Sequence, residues 1–141
     1  LTLDDYNLDG VSDCTFITYF GSVLHALGRQ GQWAWNASPT CSRLHVDDIA
    51  IGDLNGNGRS EAIVSGYEKK LRSSAFSIYC QADSRMETLS THLLPPALRD
   101  FTETSITVFD ANSDSVPDLA LADRQQGLVT IFYNHTPPEG R

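Results

Sequence analysis

Three stretches of the chain place oxygen-bearing side chains at one spacing: "DYNLDGVSD" (Asp5 to Asp13), "DLNGNGRSE" (Asp53 to Glu61) and "DANSDSVPD" (Asp110 to Asp118). Each follows the pattern D-x-N-x-[DN]-x-x-x-[DE]. Position one is Asp5, Asp53 and Asp110, and position three is Asn7, Asn55 and Asn112. Position five is Asp9, Asn57 and Asp114, and position nine is Asp13, Glu61 and Asp118. The Asn-Gly dipeptides of the second stretch would suit a hairpin turn by themselves. A turn, however, has no use for an acid at position nine. A hard cation does, because calcium gathers roughly six to eight oxygens and takes carboxylate and amide oxygens at such spacing. The chemistry expected is binding of up to three Ca2+ ions.

The elements that carry these loops repeat with them. Asp5 to Asp53 is 48 residues and Asp53 to Asp110 is 57, a period suited to propeller blades or similar arrays. Each loop is preceded by a short apolar run, "LTL" (Leu1 to Leu3), "IAIG" (Ile49 to Gly52) or "ITVF" (Ile106 to Phe109). Each is followed by another: "CTFITYF" (Cys14 to Phe20), "AIVSG" (Ala62 to Gly66) or "LALAD" (Leu119 to Asp123). Runs this short, rich in β-branched, aromatic and small residues and bounded by turn formers, predict strands. "GSVLHAL" (Gly21 to Leu27), "AFSIYC" (Ala75 to Cys80) and "LVTIFY" (Leu128 to Tyr133) predict a third strand in each repeat. "QWAWNA" (Gln32 to Ala37) and "METLSTHLL" (Met86 to Leu94) predict a fourth in the first two, while the third repeat lacks one or takes it from elsewhere. "LLPPALRDFTET" (Leu93 to Thr104) reads as a connection, because Pro95 and Pro96 forbid a regular element. The repeats run approximately over 1–45, 46–103 and 104–141.

Composition agrees with a folded chain whose acidity is local. Its 141 residues are 40% hydrophobic, enough for one domain, or part of one, with its own core. The net charge is −8, and eight of the 18 acids sit at the loop positions named above, so the remaining ten balance the ten Lys and Arg. No basic stripe is present, which removes the electrostatic footprint of nucleic-acid binding. No apolar run is long enough to span a bilayer, no charged-then-apolar leader opens the chain, and a start at Leu1 reads as a mature or excised piece. Cys14, Cys41 and Cys80 show no C-x-x-C spacing, which excludes a zinc ribbon and permits at most one internal disulfide. The sequons at Asn36 and Asn134 are compatible with secretion, although a proline follows each.

Position twelve separates these loops from EF-hand and dockerin loops, which need a further carboxylate there and helical flanks. Here it is Phe16, Val64 and Leu121, each inside a predicted strand. The chain resembles instead the FG-GAP/VCBS repeat, the calcium-loop blade of integrin α-subunit and some fungal-lectin propellers, over nearly its whole length and best at "IAIGDLNGNGRSEAIVSG" (Ile49 to Gly66). The resemblance implies an all-β fold of three four-stranded β-propeller blades, either an incomplete ring or part of a larger propeller. It implies calcium ligation by side chains at positions one, three, five and nine and by the carbonyl at position seven, here Val11, Arg59 and Val116. The Phe-Gly and Gly-Ala-Pro elements that name the family are not at their usual places, which points to a looser relative than an integrin subunit. Ser115 stands where the other loops have Gly10 and Gly58, and Asn57 replaces an acid, so the second loop is expected to bind calcium most weakly. Three blades cannot close a ring, since propellers use about four to eight. The chain is therefore read as an excerpt of a longer propeller, or as a subunit whose copies share one axis.

Function is expected on the faces that blades present: an extracellular recognition or adhesion module for a protein or glycan ligand. Trp33 and Trp35, two apart on a predicted strand, share a face and are candidate ligand-stacking residues, with inter-blade packing as the alternative. No enzyme is expected, because the four His are scattered and neither G-x-S-x-G nor H-E-x-x-H occurs. "HVDD" (His45 to Asp48), the one compact titratable cluster outside the loops, reads as a solvated turn ahead of a strand. The alternative role is a non-catalytic appendage, or the propeller domain, of a carbohydrate-active enzyme.

Overall fold

The computed structural model describes residues 1–18, 23–29, 32–36, 44–82, 85–94 and 103–135. Eleven strands account for its regular structure: β1 (Thr2–Asp4), β2 (Asp13–Ile17), β3 (Val23–Arg29), β4 (Gln32–Asn36), β5 (Leu44–Gly52), β6 (Glu61–Glu68), β7 (Ser73–Ala82), β8 (Arg85–Leu93), β9 (Thr104–Phe109), β10 (Asp118–Asp123) and β11 (Leu128–Phe132). They form three antiparallel meanders, β1-β2-β3-β4, β5-β6-β7-β8 and β9-β10-β11. The all-β expectation holds, and among the described residues the third sheet has three strands where the others have four. Each acidic loop joins the first strand of a sheet to the second, and position nine begins the second strand in all three.

The sheets pack in chain order, β1 and β2 against β5, and β5 and β6 against β9. Alternation along each strand decides what is buried where. In the second sheet Ile49, Ala62, Val64 and Tyr79 point one way, into a core shared with Tyr6 and Ile17 of the first sheet. Ala50, Ile63 and Phe76 point the other way, into a core shared with Ile106, Leu119 and Leu121 of the third. Phe76 meets Phe132 across that second core with ring centroids 5.2 Å apart. The middle sheet is thus buried on both faces, which is why β6 reads as an unbroken small and apolar run rather than as an alternating one.

A polar latch joins the second and third sheets, and it corrects the reading of "HVDD" as a solvated turn. His45 to Asp48 lie inside β5, where the register with β6 slips between Val46 and Asp48. The bulge lets two consecutive aspartates act on one neighbour. Asp47 Oδ2 accepts from Thr104 N at 3.2 Å and Thr104 Oγ1 at 3.0 Å. Asp48 Oδ2 accepts from Ser105 Oγ at 2.7 Å and Ile106 N at 3.1 Å. β9 is an edge strand whose outward N–H groups need acceptors, and these carboxylates supply them.

Candidate metal centres

The three loops share five side-chain-to-amide bonds. The position-one carboxylate accepts from the amide of position five: Asp5 from Asp9 N at 3.0 Å, Asp53 from Asn57 N at 3.0 Å and Asp110 from Asp114 N at 3.2 Å. Its other oxygen accepts from position six, at 2.8 Å from Gly10, 2.8 Å from Gly58 and 2.9 Å from Ser115. The position-three amide oxygens of Asn7, Asn55 and Asn112 accept from position five, each at 3.0 Å. Position five accepts from position seven: Asp9 from Val11 N, Asn57 from Arg59 N and Asp114 from Val116 N, at 2.9, 2.8 and 2.8 Å. Position nine accepts from position two: Asp13 from Tyr6 N, Glu61 from Leu54 N and Asp118 from Ala111 N, at 3.0, 2.8 and 3.0 Å.

This wrapping needs left-handed backbone at two places. Position six has φ of 83° at Gly10, 84° at Gly58 and 66° at Ser115, and position four has 60° at Leu8, 73° at Gly56 and 64° at Ser113. Position six was legible from its two glycines. Position four was not, because leucine and serine carry no left-handed signal.

Position nine differs from the rest in being buried. Asp13 and Asp118 are 0% exposed and Glu61 is 3% exposed, whereas positions one, three and five lie at or near the surface. Asp13 also accepts from Gly28 N of β3 at 2.8 Å, and Asp118 from Asn134 N just past β11 at 2.8 Å, so each ties its loop to the third strand of the sheet. Gly28 is required there, since a β-carbon at that position would run into the carbonyl oxygen of Ser12. Burial pushes the Asp13 carboxyl above its ordinary range, against the opposing pull of the Gly28 and Tyr6 amides and of His25. At Asp110, desolvation is the largest single influence and pushes upward. The amides of Ser115, Ser113, Asp114 and Asn112 together outweigh it and hold the carboxyl below its ordinary range.

Position two is an anchoring position that sequence reasoning missed. Tyr6 and Leu54 leave their loops and enter the core shared with the next sheet. Thr15 Oγ1 donates to the Tyr6 phenol at 3.1 Å and lies 3.0 Å from His25 Nδ1, so the first loop is anchored on buried polar contacts as well. Asn134 ties the sheets together from the other direction, its amide donating to Leu54 O at 2.7 Å and to Pro117 O at 3.1 Å.

Among the described residues no three His, Cys, Asp or Glu side chains gather into a metal-binding group. Each loop instead combines its acids with Asn oxygens, an all-oxygen set whose members each accept from the loop's own amides. Trp33 and Trp35 fall on β4, opposite Gly28 and Ala26, and their side chains lie outside the described residues. Cys14 is a free thiol that burial pushes above its ordinary range, and Cys41 lies outside the described residues. Comparison with protein-family models and with curated proteins returns no match.

Proposed function

We propose that the chain is a calcium-binding β-propeller segment of the FG-GAP/VCBS kind, three blades long, that serves as an extracellular recognition module for a protein or glycan partner. One observation carries the cation reading. Three loops of different sequence, 48 and 57 residues apart, keep the same five side-chain-to-amide bonds and the same two left-handed positions. A connection that only reverses the chain needs one or two such features. The donor set fits calcium, being all oxygen, with three carboxylates in the first and third loops and two in the second.

Asp5, Asn7, Asp9, Asp13 and the Val11 carbonyl would hold the first ion. Asp53, Asn55, Asn57, Glu61 and the Arg59 carbonyl would hold the second, and Asp110, Asn112, Asp114, Asp118 and the Val116 carbonyl the third. An ion held there would supply positive charge that offsets carboxylate repulsion and would fasten strand one of a sheet to strand two. The chain's own part is to present pre-oriented oxygens, since the loop amides already fix every ligand side chain. The blade reading is supported by three antiparallel meanders that pack in chain order.

Thermal unfolding of chelator-stripped protein with and without calcium tests this reading. Binding to the folded state alone at a hundredfold excess over Kd contributes about 2.7 kcal/mol per site and raises the midpoint. An unchanged midpoint at millimolar calcium overturns the cation reading and leaves three self-satisfied turns. Glycan and protein arrays probed with the calcium-loaded chain then test the recognition role.

A further inference from the structure

The side chain of Asn134 is bonded into two of the candidate loops at once. Its Nδ2 donates to Leu54 O of the second loop at 2.7 Å, across 80 residues of chain, and to Pro117 O of the third loop at 3.1 Å. Its main-chain N–H donates to the position-nine acid of the third loop, Asp118 Oδ1, at 2.8 Å. Two carbonyls thus take the two hydrogens of the amide, so an N-linked sugar at the sequon that starts with Asn134 would have to break one of these bonds.

The carbonyls it holds decide what these bonds do. A peptide unit is planar and moves as one piece. Leu54 O lies in the unit that leads into Asn55, the position-three residue, and Leu54 N in turn donates to the position-nine Glu61 Oε2 at 2.8 Å. Pro117 O lies in the unit that leads into Asp118. In each of the two loops, therefore, Asn134 fixes the peptide unit directly ahead of a candidate ligand.

We propose that the second and third loops bind their cations cooperatively, with Asn134 as the positioning residue that couples them. This rests on the calcium reading of the loops. An ion in the third loop fixes Asp118 and the Pro117 unit, these fix Asn134, and Asn134 fixes the Leu54 unit before the second ion arrives. The second ion then has less of its loop left to order, which makes its binding tighter. The coupling is reciprocal, so an ion in the second loop favours the third by the same factor. Asn134 is at none of the ligand positions and acts only through Leu54, Pro117 and Asp118.

Isothermal titration of calcium into the chelator-stripped, full-length chain tests it. Asp9→Ala, at the exposed position five of the first loop, silences that loop and leaves two sites; adding Asn57→Ala or Asp114→Ala, exposed at the same position of the other loops, leaves one. Each ion is expected to bind about fivefold or more tightly when the other loop is intact. Asn134→Ala keeps the main-chain bond to Asp118 and should abolish that difference while both loops still bind. Hydrogen exchange gives a second readout. In the Asp9→Ala, Asn57→Ala protein calcium fills the third loop alone, yet the amides of residues 53–61 should gain protection, and Asn134→Ala should remove the gain. Both effects are read first with Asn134 in place, so either refutes the proposal even where Asn134→Ala folds poorly. Sites that bind calcium independently, or a coupling that Asn134→Ala leaves intact, overturn the proposal and leave the calcium reading standing. Absence of calcium binding in wild type overturns the calcium reading and the coupling together.

Discussion

Removing the buried acid of the third loop, Asp118→Ala, separates the fold's need for this loop from the ion's. Asp118 is 0% exposed and is the acceptor for two main-chain donors, Ala111 N at 3.0 Å and Asn134 N at 2.8 Å. Truncation leaves both N–H groups without that acceptor. An unsatisfied buried donor costs about 1–3 kcal/mol, and since both groups are only partly buried the lower half of that range applies to each. Losing the charge's own desolvation cost offsets part of the damage. The expected net loss is about 1–3 kcal/mol, a sizeable fraction of the roughly 5–15 kcal/mol that holds a domain together. With a urea m-value of about 2 kcal/mol/M, the midpoint should fall by roughly 0.5–1.5 M.

The control is Asp114→Ala at position five of the same loop, whose side chain is exposed and accepts from Val116 N. Water can take over that bond, so in chelator this variant should unfold close to wild type while losing the calcium response of its loop. Urea titrations followed by far-UV circular dichroism, run in chelator and again in calcium, give both readouts. A midpoint for Asp118→Ala within about 0.3 M of wild type in chelator would refute the claim that the position-nine acid staples the sheet. So would equal losses from the two variants.

Four further outcomes follow from the loops. Ser115→Gly, at φ 66° and exposed, should stabilise by about 0.5–1 kcal/mol in urea, the relief of left-handed strain exceeding the added chain entropy. Gly58→Ala should cost about 1 kcal/mol from backbone strain alone, since a β-carbon there meets nothing within 4 Å. The Asp13 carboxyl is raised by burial, so the folded state binds its proton more tightly than the unfolded chain does. Its favourable contribution is present below the ordinary aspartate range and lost as pH rises through the raised value. In chelator, stability measured against pH should therefore decline across that window, and Asp13→Asn should flatten the decline. Isothermal titration should find the second loop, with two carboxylates, the weakest calcium site, and a tightest second site would show that charge count does not set the order.

What could be read from the sequence is what local chemistry dictates. Asx-type bonds reach only a few residues along the chain, so the spacing of Asp110, Asn112 and Asp114 already implies the bonds they make. Strand alternation likewise located the strands, because each must bury one side or both. The features that escaped depend on partners far away in the chain. Nothing near Asp47 and Asp48 announces that their acceptor oxygens serve β9, 57 residues on, since a bulged strand and a solvated turn share one composition. Gly28 looks like an ordinary strand glycine until Asp13 and Ser12 are seen to crowd it.

Leu8 is the clearest case. A leucine at φ 60° contradicts its own propensity and holds that shape because the amides on either side are already committed to Asp5, Asn7 and Asp13. Its strain is the loop's cost of keeping these acceptor bonds, so Leu8→Gly should raise stability with and without calcium alike. Only the second copy, with Gly56, has a glycine at that position.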